Sequence, residues 1–353
     1  MAKELAHFKN FAKLKDTSLE FNDITVLAGK PSTGKSYVMK FMYAVEEAYF
    51  VSSPNIQELL NNIPIKGRSD SSKANFIYDR LLDLSTNNSK SIPTYSNTLK
   101  NILNSIFINL NQVSINFEFI SSFLDISYKN YFNIKQKKEK IVSKEIIFVE
   151  TPLILEFKSF MRREKGKVPY HIESLLNILD TNYSFTDEEQ DRFIQNFTKK
   201  SKEIISGDIE SSGDSFIYRT DTTNYDILNT SSGTKSIGLL QYLVTNKALK
   251  KGSILFWEEP EVHLHPQWQL KMVDLFVELM NAGVKIVFST HSPYMADYLN
   301  AISQKRGFRD RVSFNVLEEK DGIVSNYILD DNNWNILQKE LMDTFEDILW
   351  QYL

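Results

Sequence analysis

Residues Gly29-Lys30-Pro31-Ser32-Thr33-Gly34-Lys35-Ser36 combine two glycines, a lysine and a hydroxyl at the spacing of a phosphate cradle. The glycines let the backbone curl so that successive N–H groups and the following helix N-terminus face phosphate oxygens. Lys35 then reaches the β- and γ-phosphates of a nucleoside triphosphate, and the hydroxyl of Ser36 ligates Mg2+. Glu258 and Glu259 are consecutive carboxylates behind the apolar run Ser253-Ile254-Leu255-Phe256-Trp257. At a strand end, Glu258 is suited to hold the metal through water, and Glu259 to orient the water that attacks the γ-phosphate. His291 follows a second apolar run, Lys285-Ile286-Val287-Phe288-Ser289-Thr290, where its ring can hydrogen-bond the γ-phosphate and sense its loss. Ser232 and Gly233 precede the apolar stretch Ile237–Leu249 and offer a second anion-binding helix start, with a simple helix cap as the alternative reading.

These groups need strands and helices to hold them. The sequence predicts strands over Glu4–Phe11, Ser18–Phe21 and Ile24–Ala28, then a helix from Lys35 to about Tyr49, which opens an α/β nucleotide-binding core. From Val51 to Asn104 the chain is rich in Asn and Ser, with helical segments at Asn55–Asn61 and Lys73–Leu84 between proline breakers. Ile106 to Val149 alternates as strands do, for example at Val113–Phe117 and Ile146–Val149. Helical spacing returns from Leu153 to Ile205, with Ile172, Leu175, Leu176 and Leu179 on one face. A hairpin follows through Ile209, Phe216–Tyr218 and Tyr225–Leu228. After it, α/β alternation runs to about Leu299, then strands at Ser313–Leu317 and Val324–Leu329 around a Lys320-Asp321-Gly322 turn, and a last helix. The expected organisation is a nucleotide-binding core of residues 1–50 and 206–353, a helical insertion with a β-rich segment at 51–150, and a helical lobe at 151–205.

A chain of 353 residues that is 42% hydrophobic can bury a substantial core. Its net charge of −4 excludes a wholly basic nucleic-acid surface, so any such contact needs a local patch. Lys135, Lys137, Lys138, Lys140 and Lys144, then Arg162, Arg163, Lys165 and Lys167, then Lys199, Lys200 and Lys202 are the patches available, and interspersed Glu139, Glu164 and Glu203 also suit solvated faces. Absence of cysteine excludes disulfides and thiolate metal sites. With no apolar run of membrane-spanning length and no signal-like segment at Met1–His7, the expected location is the cytoplasm, without a membrane partner.

The order of these motifs resembles ABC-type ATPase heads of the SMC, RecF and OLD kind. The resemblance covers the first fifty residues and Asn229 to about Leu299, with Walker A at Gly29–Ser36, a signature at Ser232-Gly233, Walker B ending at Glu258-Glu259, a D-loop at Pro260–Pro266, and a switch histidine at His291. It implies an α/β P-loop head with a mixed central sheet, an antiparallel β subdomain and helical insertions. It also implies ATP and Mg2+ as ligands, and two heads meeting head to tail with ATP between Walker A of one and Ser232-Gly233 of the other. Three positions depart from the pattern: Glu258 replaces the usual Asp, Glu150-Thr151-Pro152 occupies the approximate Q-loop place without its glutamine, and Pro31 stiffens the opening of the P-loop.

The insertions are too short and too broken for SMC-type arms, the signature differs from that of transporters, and the stretch after Leu299 is too short for a Toprim nuclease. Two expectations follow. One is a defence ATPase similar to the ATPase subunits of the PARIS and Septu antiviral systems, controlling a separate effector nuclease. The other is a RecF-like repair ATPase that clamps duplex DNA.

Overall fold

The computed structural model describes residues 3–51, 95–107, 116–122, 124–129, 132–136, 145–164, 167–181, 183, 187–330 and 332–342. The expected helices at Asn55–Asn61 and Lys73–Leu84, and the lysines at 137–144, lie outside the described residues. Contacts divide the chain into two units. One comprises Met1–Met39, Asn111–Lys140 and Phe256–Leu353, the other Lys40–Leu110 and Ile141–Leu255.

The first unit is built on a mixed sheet. β1 (Glu4–Phe11) and β2 (Leu14–Phe21) form an antiparallel hairpin, with Asn10 and Ala12 at positive φ around its turn. The strand expected from Ser18 thus begins at Leu14, because Lys15 and Asp16, both exposed, hide the alternation. Phe8 and Phe11 are fully buried, as expected of core residues, and Phe8 meets Phe119 edge-on at 5.0 Å. Lys9 faces Glu118 of β4 (Asn116–Ile120) at 3.7 Å. β5 (Leu124–Lys129) and β6 (Phe132–Gln136) continue this antiparallel edge.

At the other side of the sheet, β3 (Ile24–Ala28) is buried along its whole length, the pattern of a parallel strand covered on both faces. It runs parallel to β12 (Lys285–Thr290) and to β13 (Val312–Lys320), with Ala28 opposite both Thr290 and Val316. The segments that leave β3 and β12 therefore emerge at the same edge, the carboxyl end of the strands where α/β sheets bind ligands. β14 (Ile323–Ile328) pairs antiparallel with β13 and stands next to β2, which gives the order β6-β5-β4-β1-β2-β14-β13-β3-β12.

Two elements pass from one unit into the other: helix α1 (Lys35–Val51) and β11 (Ile254–Trp257). The second unit holds β7 (Ile146–Val149) and the helices Tyr95–Ile106, Ile154–Arg163, Tyr170–Asp180, Glu188–Ile205 and Ser232–Thr245. Leu175, Leu176 and Leu179 are buried, as their spacing predicts. A separate antiparallel sheet of β8 (Asp208–Ser212), β9 (Ser215–Arg219) and β10 (Asn224–Asp226) matches the expected hairpin. Its last strand stops early because the Asp226 side chain accepts from Leu228 N–H (2.9 Å) and starts a short 3-10 turn. The helix Ser232–Thr245 lies close on β8. A Cβ at Gly238 would fall 2.2 Å from Ile209 Cγ1, and Gln241 accepts from Ile209 N–H (2.9 Å).

Candidate nucleotide-binding and catalytic site

Walker A, the twin carboxylates and His291 all belong to the first unit. Gly29 adopts φ +142°, and a Cβ there would sit 2.3 Å from the carbonyl oxygen of Leu317 on β13, so only glycine fits. Ser32 at φ +64° and Gly34 at φ +90° continue the curl. Thr33 donates its hydroxyl to Lys30 O (3.0 Å), and α1 starts at Lys35 with Ser36 in its first turn, where N–H groups lack intrahelical acceptors. The Lys35 ammonium is buried. It donates to the carbonyls of Gly29 and Lys30, both at 2.8 Å, and to Thr33 Oγ1 at 3.3 Å. Burial lowers its pKa to about 8, against the raising fields of Glu259, Glu261 and Glu340.

The carboxylates stand on a rigid base. Trp257, fully buried, packs against Phe276, which packs in turn on Phe288 of β12. Immediately beyond it the chain turns sharply: Glu259 has φ +44°, a left-handed conformation that costs a non-glycine residue about 1–3 kcal/mol. Its N–H donates to Ser289, both to the carbonyl and to the hydroxyl oxygen at 3.2 Å. The Glu259 carboxylate meets His291 Nε2 at 3.1 Å. Glu261 fixes the histidine from behind, its Oε1 accepting His291 N–H at 2.6 Å. Burial raises the Glu261 pKa. Burial first, and then the Lys35 charge, lowers the pKa of His291, so its ring is neutral near pH 7. Ser289 and Glu261 were not legible as supports, since only the fold brings them to the turn.

The donor set fits Mg2+. Ser36 and Glu258 offer a hydroxyl and a carboxylate, hard oxygens of the kind that hold Mg2+ together with phosphates and water. No group of three or more His, Cys, Asp or Glu able to hold a metal occurs among the described residues.

Ser232 and Gly233 belong to the second unit, as the first two residues of the helix Ser232–Thr245. The cap itself is Ser231, whose Oγ accepts from Thr234 N–H at 3.2 Å. Lys235, also buried, donates to Thr230 O (2.7 Å) and forms an ion pair with Glu156. Within the same unit, Glu150, at the approximate Q-loop place, is held by Lys40 Nζ at 2.8 Å and by the buried His171 Nε2 at 2.7 Å. The His171 hydrogen bond is the largest of the effects that bring its pKa down to about 2. Sequence alone gave no signal for this trio, whose members come from α1, the end of β7 and the helix Tyr170–Asp180.

Among the described residues no helix is long and apolar enough to cross a membrane. Among solved structures the chain is similar to the SMC head domain from Thermotoga maritima, at 11% identity and TM-score 0.46 over 94% of this chain and 100% of that one. It is similar as well to an SMC head bound to the C-winged helix domain of ScpA, at 12% identity and TM-score 0.49 over 95% and 100% of the two chains. An SMC head with an extended coiled coil, bound to the C-terminal domain of ScpA derived from Pyrococcus furiosus, gives 12% and 0.47 over 96% and 98%. Comparison with curated protein sequences finds no match. Residues 51–296 match the AAA ATPase domain family, a span that contains Ser232, Glu258, Glu259 and His291 and starts beyond the P-loop. With most of its length in that match, the chain belongs to the AAA ATPase domain family and is an ATPase.

Proposed function

We propose that the chain binds Mg-ATP on Gly29, Lys30, Ser32, Thr33, Gly34, Lys35 and Ser36 and hydrolyses it at a site shared by two copies, with Ser232-Gly233 of the second copy completing it. The observation that carries this reading is the pair Glu259–His291, 3.1 Å apart, with both groups within the electrostatic reach of Lys35 in the P-loop. Lys35 neutralises the β- and γ-phosphates, and Ser36 and Glu258 hold Mg2+, which when bound offsets the charge that develops on the phosphates. Glu259 orients the attacking water and takes its proton. His291, in the tautomer with hydrogen on Nε2, donates to Glu259 and keeps that carboxylate aimed. A second copy that brings a helix N-terminus to the γ-phosphate adds N–H donors and the positive end of a helix dipole.

In this reading the nucleotide controls assembly, and the shared site makes the chain a sensor or scaffold for a separate effector nuclease, as its motif resemblance to antiviral ATPase subunits implies. The test is purification of the Glu259→Gln protein from its native host in Mg-ATP, with mass spectrometry of bound proteins and nuclease digestion of bound nucleic acid. A stoichiometric nuclease without DNA supports the sensor. Duplex DNA without an effector contradicts it and makes the protein a clamp.

A further inference from the structure

The helix that starts at residue 335 belongs to the first unit and reaches the P-loop with one side chain. It is firmly seated there. Leu337 is fully buried, Trp334 stacks edge-on against Phe314 at 4.8 Å, and the Trp334 indole N–H donates to Asp297 at 2.8 Å. From this base Glu340, only 7% exposed, points at the opening of the loop. Its Oε1 accepts the backbone N–H of Lys30 at 3.2 Å, and its Oε2 lies 3.8 Å from the Lys30 ammonium. The next residue, Pro31, has no N–H to offer. A buried carboxylate is costly without partners, and Lys30 supplies Glu340 with a backbone N–H and a half-exposed ammonium.

A nucleoside triphosphate brings several negative charges to the same loop. We infer that Glu340 is a nucleotide-responsive positioning residue: it and the phosphate chain compete for Lys30, so that triphosphate binding loosens the 335–342 helix, and the helix in turn weakens triphosphate binding. The inference rests on the P-loop reading above and deepens it, because it gives the site an internal anion and an element that reports occupancy.

The test compares the unaltered protein with Glu340→Gln, which keeps an acceptor for Lys30 N–H and removes the charge. A fluorescent ATP analogue and ATP itself are the probes. Glu340→Gln is expected to bind ATP about three- to tenfold tighter at low salt, with the gain shrinking as ionic strength rises. It should also lower KM while leaving kcat within about twofold, a split that general loosening of the fold would not produce. Equal or weaker binding by the variant overturns the inference. Hydrogen exchange of 335–342 in the unaltered protein gives a second reading that needs no variant: faster exchange with ATP is expected, and no change or added protection overturns it. If the unaltered protein binds no ATP, the P-loop reading itself fails and the competition falls with it. Binding by the unaltered protein with no effect of Glu340→Gln refutes the competition alone.

Discussion

His291 Nε2 lies 3.1 Å from Glu259 Oε1, while the backbone N–H groups of the same two residues are held by Glu261 and Ser289. The ring and the carboxylate are thus fixed by different neighbours and meet across two strand ends. A base held in this way is expected to lose rate rather than affinity when altered. Glu259→Gln should lower kcat about 100- to 1000-fold with ATP binding intact, and His291→Ala about 10- to 100-fold. Single-turnover hydrolysis beside equilibrium nucleotide binding checks both. Full turnover in Glu259→Gln would remove it from the base role.

Lys35 gives the site a pH dependence on the alkaline side. Burial holds its pKa at about 8. Phosphates favour the charged ammonium, so ATP affinity should be flat below pH 8 and fall as pH rises through it, by up to about tenfold per unit. Proton uptake on binding, measured by calorimetry in buffers of different ionisation enthalpy, should appear near pH 8. The same lysine affects folding in the opposite sense. The folded state carries the cost of a buried charge below pH 8, and that cost is relieved between 8 and the ordinary value of 10.5. Lys35→Ala should abolish ATP binding.

Gly29→Ala should destabilise the protein by about 2 kcal/mol or more, because the new Cβ would overlap the Leu317 carbonyl and Gly29 has positive φ. Urea denaturation measures the loss directly. Glu259→Gly should be more stable than Glu259→Ala by about 1 kcal/mol, since glycine relieves the left-handed turn at φ +44°.

Glu150 acts on the acid side. Its pKa falls from 4.5 to about 2, so its contribution to stability is present above 4.5 and is lost as pH drops toward 2. Glu150→Gln should therefore flatten the change in urea midpoint over that window, and it should do so without changing the pH dependence of ATP affinity near 8.

The motifs were legible because their requirements are local. Gly29 and Gly34 meet backbone demands written within eight residues, and Glu258-Glu259 and His291 each follow a run of buried strand residues. What was not legible depends on distant pairing. Lys40 and Glu150 are 110 residues apart and Glu150 and His171 are 21 apart, and no pattern in any one segment announces their meeting. The start of β2 at Leu14 was hidden for a related reason: Lys15 and Asp16 are both exposed and read as turn residues, although Asp16 pairs with Lys9 of β1 and Leu14 with Phe11.

The shared site is the central claim, and mixing two inactive variants tests it most directly. Lys35→Ala removes the P-loop lysine and Ser232→Arg blocks the helix start, so each alone should be inactive. Equal mixing should restore about a quarter of normal ATPase activity, because half of the dimers are mixed and each mixed dimer has one intact site. No recovery, with both variants folded and exchanging subunits, would contradict a site built from two copies.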